Sequence, residues 1–213
     1  MTAFAAAEGR AVLVDLITSM HENAARLSEL DGATGDGDHG VNMDKGFSRV
    51  AELLGPDPIG LCEGLALLGQ TLLTDIGGAM GPLYGSFFAA MAEAGAGKDA
   101  IDGAAFAQML SAGRAAVVDI GGASLGDKTL VDVLIPADTA MTAAVEAGAS
   151  FADALAAMAD AATQASESTK DMVARIGRAS RLGERSRGFV DAGAASSAVI
   201  LGSLGRSISA RLA

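Results

Sequence analysis

Apolar residues recur at steps of three and four along nearly the whole chain, which is the period of an amphipathic helix. From Ala3 to about Leu30, Val12, Leu13, Leu16, Ile17 and Met20 keep this step. The same spacing predicts helices over 40–54, 59–75, 82–93, 101–119, 129–146, 151–170 and 194–212. Pro56 and Pro58 mark the turn between the second and third, and Pro136 predicts either a kink in the sixth or its start. Eight helices of comparable length on short connections predict an all-α fold, a single domain over residues 1–213 built as an antiparallel up-and-down barrel.

Glycine punctuates this pattern unevenly. Many of the 28 glycines gather at Gly32–Gly40, Gly77–Gly85, Gly121–Gly126 and Gly177–Gly193. These are the connections after the first, third, fifth and seventh helices. Antiparallel helices place alternate connections at one end, so all four segments are expected on one rim, where a site belongs.

Composition narrows the functional classes. Half the residues are apolar but only 4% are aromatic, so Ala, Leu, Met and Val must fill the core. The formal charge of −11, with no run of Lys or Arg, argues against nucleic acid and anionic membranes as partners. Cys62 is the only cysteine, which excludes an internal disulfide and fits a small buried hydrophobe. The N-terminus lacks the basic region of a signal peptide, and no apolar stretch reaches the roughly 20 residues of a membrane span. A cytoplasmic protein is expected.

The first rim segment carries Asp31, Asp36, Asp38, His39 and Asn42 between glycines. Carboxylates this close repel one another, and a hard divalent cation relieves the repulsion. A solvated turn would use the same residue types, but three acids, a histidine and an asparagine in one connection favour metal. Three short motifs here are coincidental. Gly35-x-Gly37-x-x-Gly40 follows a helix rather than a strand, and its aspartates would repel pyrophosphate. An EF-hand starting at Asp36 would need Glu where Phe47 stands. The run from Gly121 to Lys128-Thr129 has one residue too many before the lysine for a P-loop. Even so, Gly126-Asp-Lys-Thr129 and Gly77–Pro82 open helices, where free N–H groups and the helix dipole can hold an anion. Between Arg175 and Arg187 stand five arginines, one third of the chain's 15 basic residues, which suits phosphate opposite a metal.

Four stretches taken together resemble the nucleotide-binding L subunit of dihydroxyacetone kinases: 35–43 (Gly-Asp-Gly-Asp-His-Gly-Val-Asn-Met), 77–85 (Gly-Gly-Ala-Met-Gly-Pro-Leu-Tyr-Gly), 126–129 (Gly-Asp-Lys-Thr) and 177–186 (Gly-Arg-Ala-Ser-Arg-Leu-Gly-Glu-Arg-Ser). The resemblance covers nearly the whole chain in order and spacing. It implies an eight-helix barrel with ADP or ATP at its rim, and two Mg2+ ions held by Asp31, Asp36 and Asp38. It further implies that His39, Gly40, Val41 and Asn42 line the phosphate site. Ala79, Met80, Gly121 and Leu130 would border the nucleotide, and Arg178 with Asp191, Ala192 and Gly193 would complete it. His39 and Arg178 are the residues it brings nearest the chemistry. Two positions depart from the family pattern: Met80 stands where Ser is common, and Ala192 where Pro is common. Met80 removes a hydroxyl that could bond a phosphate.

In such kinases the ketose sits on a separate K subunit, to which nothing in this chain is similar. The family uses two modes. ADP stays bound and is rephosphorylated by a phosphotransferase-system protein (the M subunit), or ATP is used directly and exchanged. A chain carrying this domain alone points to the first. Dihydroxyacetone, or a related ketose such as erythrulose, is the implied acceptor. Two rival readings are a Mg-nucleotide module that catalyses nothing and a fatty-acid kinase domain sharing the three-aspartate segment.

Overall fold

The computed structural model describes residues 2–213. Eight α-helices account for most of it: α1 (Gly9–Thr34), α2 (His39–Leu53), α3 (Leu61–Asp75), α4 (Met80–Gly95), α5 (Gly103–Gly121), α6 (Val131–Glu146), α7 (Phe151–Ser168) and α8 (Ala192–Ser209). Each packs on its sequence neighbour, and α8 packs back on α1, so the ring is closed. The ring encloses one core. Leu13, Leu16 and Met20 of α1, Met43 and Phe47 of α2, Leu65 and Leu68 of α3 and Phe88 of α4 are buried in it. Phe106 and Leu110 of α5, Val133 of α6, Leu155 and Met158 of α7 and Leu201 and Leu204 of α8 join them.

Local chemistry sets several helix ends. The Asp102 carboxylate accepts from the Ala105 N–H at 2.8 Å and Ser150 Oγ from the Asp153 N–H at 3.1 Å, starting α5 and α7. Gly122, at φ 62°, ends α5 in the left-handed conformation that glycine adopts without a Cβ penalty. Pro136 neither starts nor ends α6, which runs unbroken from Val131 to Glu146. Its ring forgoes only the backbone bond to the Asp132 carbonyl, early in the helix.

The first helix differs from its expected start at Ala3. Phe4–Ala5 (β1) instead pairs antiparallel with Ala100–Ile101 (β2), with Phe4 opposite Ile101. Phe4 also bridges Leu212, and Ala3 and Ala213 exchange backbone hydrogen bonds at 3.2 Å. These pairings tie both chain ends to the α4–α5 connection. At the other end of α1 the helix continues to Thr34, so Asp31 lies on its last turn rather than in a loop.

The up-and-down course gives the two rims different characters. Helices α2, α4, α6 and α8 all begin at one rim, so four positive dipole ends converge there.

Candidate functional site

At that rim lies an open cavity of about 460 Å³. Its lining comes from all four glycine-rich segments: Asp31, Asp36, Asp38, His39 and Asn42 from the first, Gly77–Met80 from the second, Lys128–Leu130 from the third, and Ile176–Ala179 with Asp191–Gly193 from the fourth.

Three carboxylates stand together on its wall. One oxygen each from Asp31, Asp36 and Asp38 lies within 4.8 Å of the other two. Backbone geometry explains how this happens. Gly35 turns the chain directly over the Asp31 side chain, where a Cβ would come within 2.5 Å of Oδ1. The His39 N–H points back at Asp31 Oδ2 at 3.4 Å. Asp38 occupies the N-cap of α2 but its carboxylate makes no capping bond, which leaves it available to a ligand. Hard oxygen donors at this spacing suit Mg2+, which binds through a few carboxylates and completes its shell with water and phosphate.

The Arg178 guanidinium contacts Asp36 and lies 3.8 Å from Asp38 Oδ1. These side chains are about half exposed, so the pairing adds little to stability. Its consequence is local: one positive charge stands among the three negative ones.

Beneath the carboxylates, His39 is buried and its Nε2 lies 2.9 Å from Ser196 Oγ. Tyr84 reaches the same hydroxyl at 2.6 Å and donates to the Gly193 carbonyl at 3.0 Å. His39, Tyr84 and Ser196 thereby knit the starts of α2, α4 and α8 together. Burial pushes the His39 pKa down to about 4, partly offset by Asp31, so its imidazole is neutral at pH 7. A neutral ring has one N–H donor and one acceptor nitrogen. The hydrogen bond to Ser196 gives His39 a positioning role between α2 and α8. Burial also raises Tyr84 to about 12 and Asp191 to about 6. Asp191 caps α8, accepting from the Ala194 N–H at 2.8 Å.

Three expected nucleotide contacts stand outside the lining. Val41 is 63% exposed on the outer face of α2, and Gly121 ends α5 against Leu83. Gly40 is buried where α2 crosses α1, and a Cβ there would run into the Ala24 carbonyl oxygen and meet Ser28 at 2.7 Å. Its role is close helix packing. Gly40→Ala gains about 1 kcal/mol of helix propensity. The obstruction is backbone, so overpacking costs about 1–3 kcal/mol or more and outweighs that gain. The ligand-free variant is expected to melt several degrees lower, at about 2–4 °C per kcal/mol for a chain of this size. An unchanged melting temperature would remove the packing role.

The expected anion entry at 126–129 is also revised. The Asp132 carboxylate takes the Gly126 and Thr129 N–H groups, at 2.5 and 2.7 Å. Those two donors hold the connection in shape and are not free for phosphate. Sequence reasoning missed Asp132 and Ser196, since each is a polar residue inside a helical pattern whose partner comes from the fold.

A family model described as the DAK2 domain matches residues 33–206. The chain is 42% identical over 173 residues to the PEP-dependent dihydroxyacetone kinase ADP-binding subunit DhaL of Escherichia coli (strain K12), covering 80% of this chain and 81% of that protein. It is 37% identical over 188 residues to the L-erythrulose 1-kinase of Mycolicibacterium smegmatis, covering 86% of this chain and 32% of the relative. The dihydroxyacetone kinase from C. freundii, in a crystal structure with AMP-PNP and Mg2+, superposes with a TM-score of 0.70 at 26% identity. That superposition covers 93% of this chain and 33% of the kinase chain, so this chain corresponds to about a third of the larger enzyme.

Proposed function

Since the chain belongs to the DAK2 domain family, we propose that it is the nucleotide-binding subunit of a dihydroxyacetone kinase, or of a kinase for a related short ketose. It presents a Mg-bound nucleotide to a ketose held on a separate K subunit. The observation that carries this is the cluster of Asp31, Asp36 and Asp38 at a cavity onto which four helix N-termini converge. Metal charge, Arg178 and the helix dipoles together offset the phosphate charge, which is what phosphoryl transfer requires of a protein.

Within this reading, Asp31, Asp36 and Asp38 hold two Mg2+ ions, which when bound neutralise the phosphates and polarise their oxygens. Asn42, Ala79, Met80 and Leu130 border the nucleotide, with Ala192 and Gly193 at the start of α8. Backbone contacts at 79–80 do not need the hydroxyl that Met80 lacks. His39 holds the carboxylate wall against α8 through Ser196.

Two observations favour a separate acceptor subunit. The sequence shows no resemblance to the ketose-binding subunit of such kinases, and six large apolar residues are exposed in the segments of this rim. By chain position Val41, Leu73, Ile120, Leu125, Ile176 and Phe189 belong to the helix ends and connections of this rim and make up an exposed apolar collar there, although most large apolar side chains are buried. A K subunit docked on this collar covers the cavity and excludes water during transfer. The mode in which ADP stays bound and a phosphotransferase-system M subunit restores its phosphate is supported by the E. coli relative. That protein is named as PEP-dependent and ADP-binding, and this chain covers 81% of it.

The test is reconstitution. The chain alone is expected to leave dihydroxyacetone unphosphorylated, and addition of a K subunit with phosphoryl donor restores turnover. Donors are compared as ATP against a phosphoenolpyruvate-driven phosphotransferase system. Phosphorylation of the ketose by this chain alone would overturn the division of labour.

A further inference from the structure

Lys128 is the least expected polar residue of the site. It is 1% exposed and its backbone lies at φ 64°, a left-handed conformation seen among the other described residues only at glycines. Its ammonium makes no hydrogen bond to a carboxylate. Instead Nζ donates to three backbone carbonyls: Met172 at 3.3 Å, Ser186 at 2.5 Å and Phe189 at 2.7 Å. A lysine has three N–H donors, so this set spends all of them and leaves none for a phosphate.

The three carbonyls lie at the two ends of one segment. Residues 172–189 leave α7 and return to α8, and between them stand Arg175, Arg178, Arg181 and Arg185. Other bonds close the same neck. The Gly188 N–H donates to the Lys170 carbonyl at 2.7 Å, and the Ala174 N–H to Ser186 Oγ at 2.9 Å. The Arg187 guanidinium bonds the Asp171 carbonyl, and the Arg175 N–H donates to the Asp127 carbonyl at 3.1 Å. Lys128 is the member that touches both sides of the neck at once.

Above the neck the character changes. The tip, Arg178–Ser186, is two 3₁₀ turns joined at Gly183, at φ 55°, and it is entered through Gly177, at φ 75°. Both positions favour glycine, and in the tip Arg178, Arg181, Glu184 and Arg185 are exposed while Ser186 is buried. A tied neck with glycine-jointed turns above it can reposition Arg178 without opening its base.

We propose that Lys128 is a positioning residue that pins the neck of the 172–189 segment, so that its tip holds Arg178 against the aspartate wall. This rests on the nucleotide reading only for its functional consequence. The clamp itself is a property of the ligand-free chain. Without the ammonium, three carbonyls on the two sides of the neck, that of Ser186 in a buried bond, lose their donor and the neck opens, which frees Arg178 from the cavity.

Limited trypsinolysis of the full chain without nucleotide tests the clamp. In Lys128→Met, cleavage at Arg178, Arg181 and Arg185 is expected to accelerate at least tenfold. Cleavage at Arg26 and Arg114, within α1 and α5, stays at the wild-type rate. ADP affinity in Mg2+ is expected to fall about tenfold, while Mg2+ affinity without nucleotide rises, because a freed Arg178 no longer competes with a cation at Asp36 and Asp38. Tip cleavage at the wild-type rate would overturn the clamp. Lost ADP affinity with unchanged cleavage would overturn it too, since Lys128 would then act on phosphate directly. Equal acceleration at every site would mean that Lys128 only stabilises the fold. If Lys128→Met does not fold, Ser186→Ala decides: it removes a different neck bond, and an increase in tip cleavage below threefold contradicts the proposal. Failure of wild-type protein to bind Mg-ADP would count against the nucleotide reading and leave the cleavage result standing.

Discussion

Asp38→Asn is expected to weaken Mg-nucleotide binding at least tenfold, measured calorimetrically at fixed Mg2+. Asp38 is chosen because its carboxylate does not cap α2, so the substitution removes ligand charge and no helix-capping bond. The residue is roughly isosteric and retains an oxygen, so the loss reports charge rather than shape. Metal affinity at oxygen sites follows the charge count of the ligands. A tenfold loss corresponds to about 1.4 kcal/mol, a modest demand on a carboxylate facing a divalent ion. The melting temperature of the ligand-free variant should not fall. It is expected to hold or rise slightly, because one of three mutually repelling carboxylates is gone. Undiminished Mg-nucleotide affinity would remove Asp38 from the site.

Arg178→Ala is expected to produce two changes of opposite sign. Charge-assisted hydrogen bonds to phosphate contribute roughly 1.5–3 kcal/mol net, so ADP affinity in Mg2+ falls about 10- to 100-fold. Mg2+ affinity without nucleotide rises, because the guanidinium that stands against Asp36 and Asp38 competes with a cation there. The two titrations therefore separate a phosphate ligand from a loop that merely supports the fold, since general damage lowers both affinities. If neither moves, the arginines of this segment are only its solvated surface.

These two substitutions probe the part of the site most legible in the sequence. Asp31, Asp36, Asp38 and Arg178 stood out by local density, as acids compressed into one connection and arginines collected in an acidic chain. The helices were legible for a related reason, because a buried stripe such as Val12, Leu13, Leu16 and Met20 imposes its period on the sequence. The start of α1 was not. Phe4 and Ala5 leave the helix to pair with residues near position 100, and a two-residue strand has no period to detect. Gly40 was legible only as part of the expected phosphate site, while its close approach to the Ala24 carbonyl of α1 depends on a crossing that no local spacing encodes. Lys128 shows the same limit in its strongest form. Gly-Asp-Lys-Thr reads as an anion entry made of backbone N–H groups and gives its lysine no role, because the lysine's acceptors are carbonyls 44 to 61 residues away, brought to it by the return of the α7–α8 connection.

The dependence of the account on metal gives its sharpest test. Three carboxylates repel an approaching nucleotide unless a cation intervenes, so a Mg-bridged site and a metal-free one predict opposite results in a single titration. ADP is titrated calorimetrically into the metal-stripped wild-type chain, once with Mg2+ in excess and once with EDTA. Saturable one-to-one binding in Mg2+, with affinity at least an order of magnitude weaker or undetectable in EDTA, is the predicted result. Equal affinity in the two titrations, or no binding in either, would contradict a nucleotide held through metal on Asp31, Asp36 and Asp38.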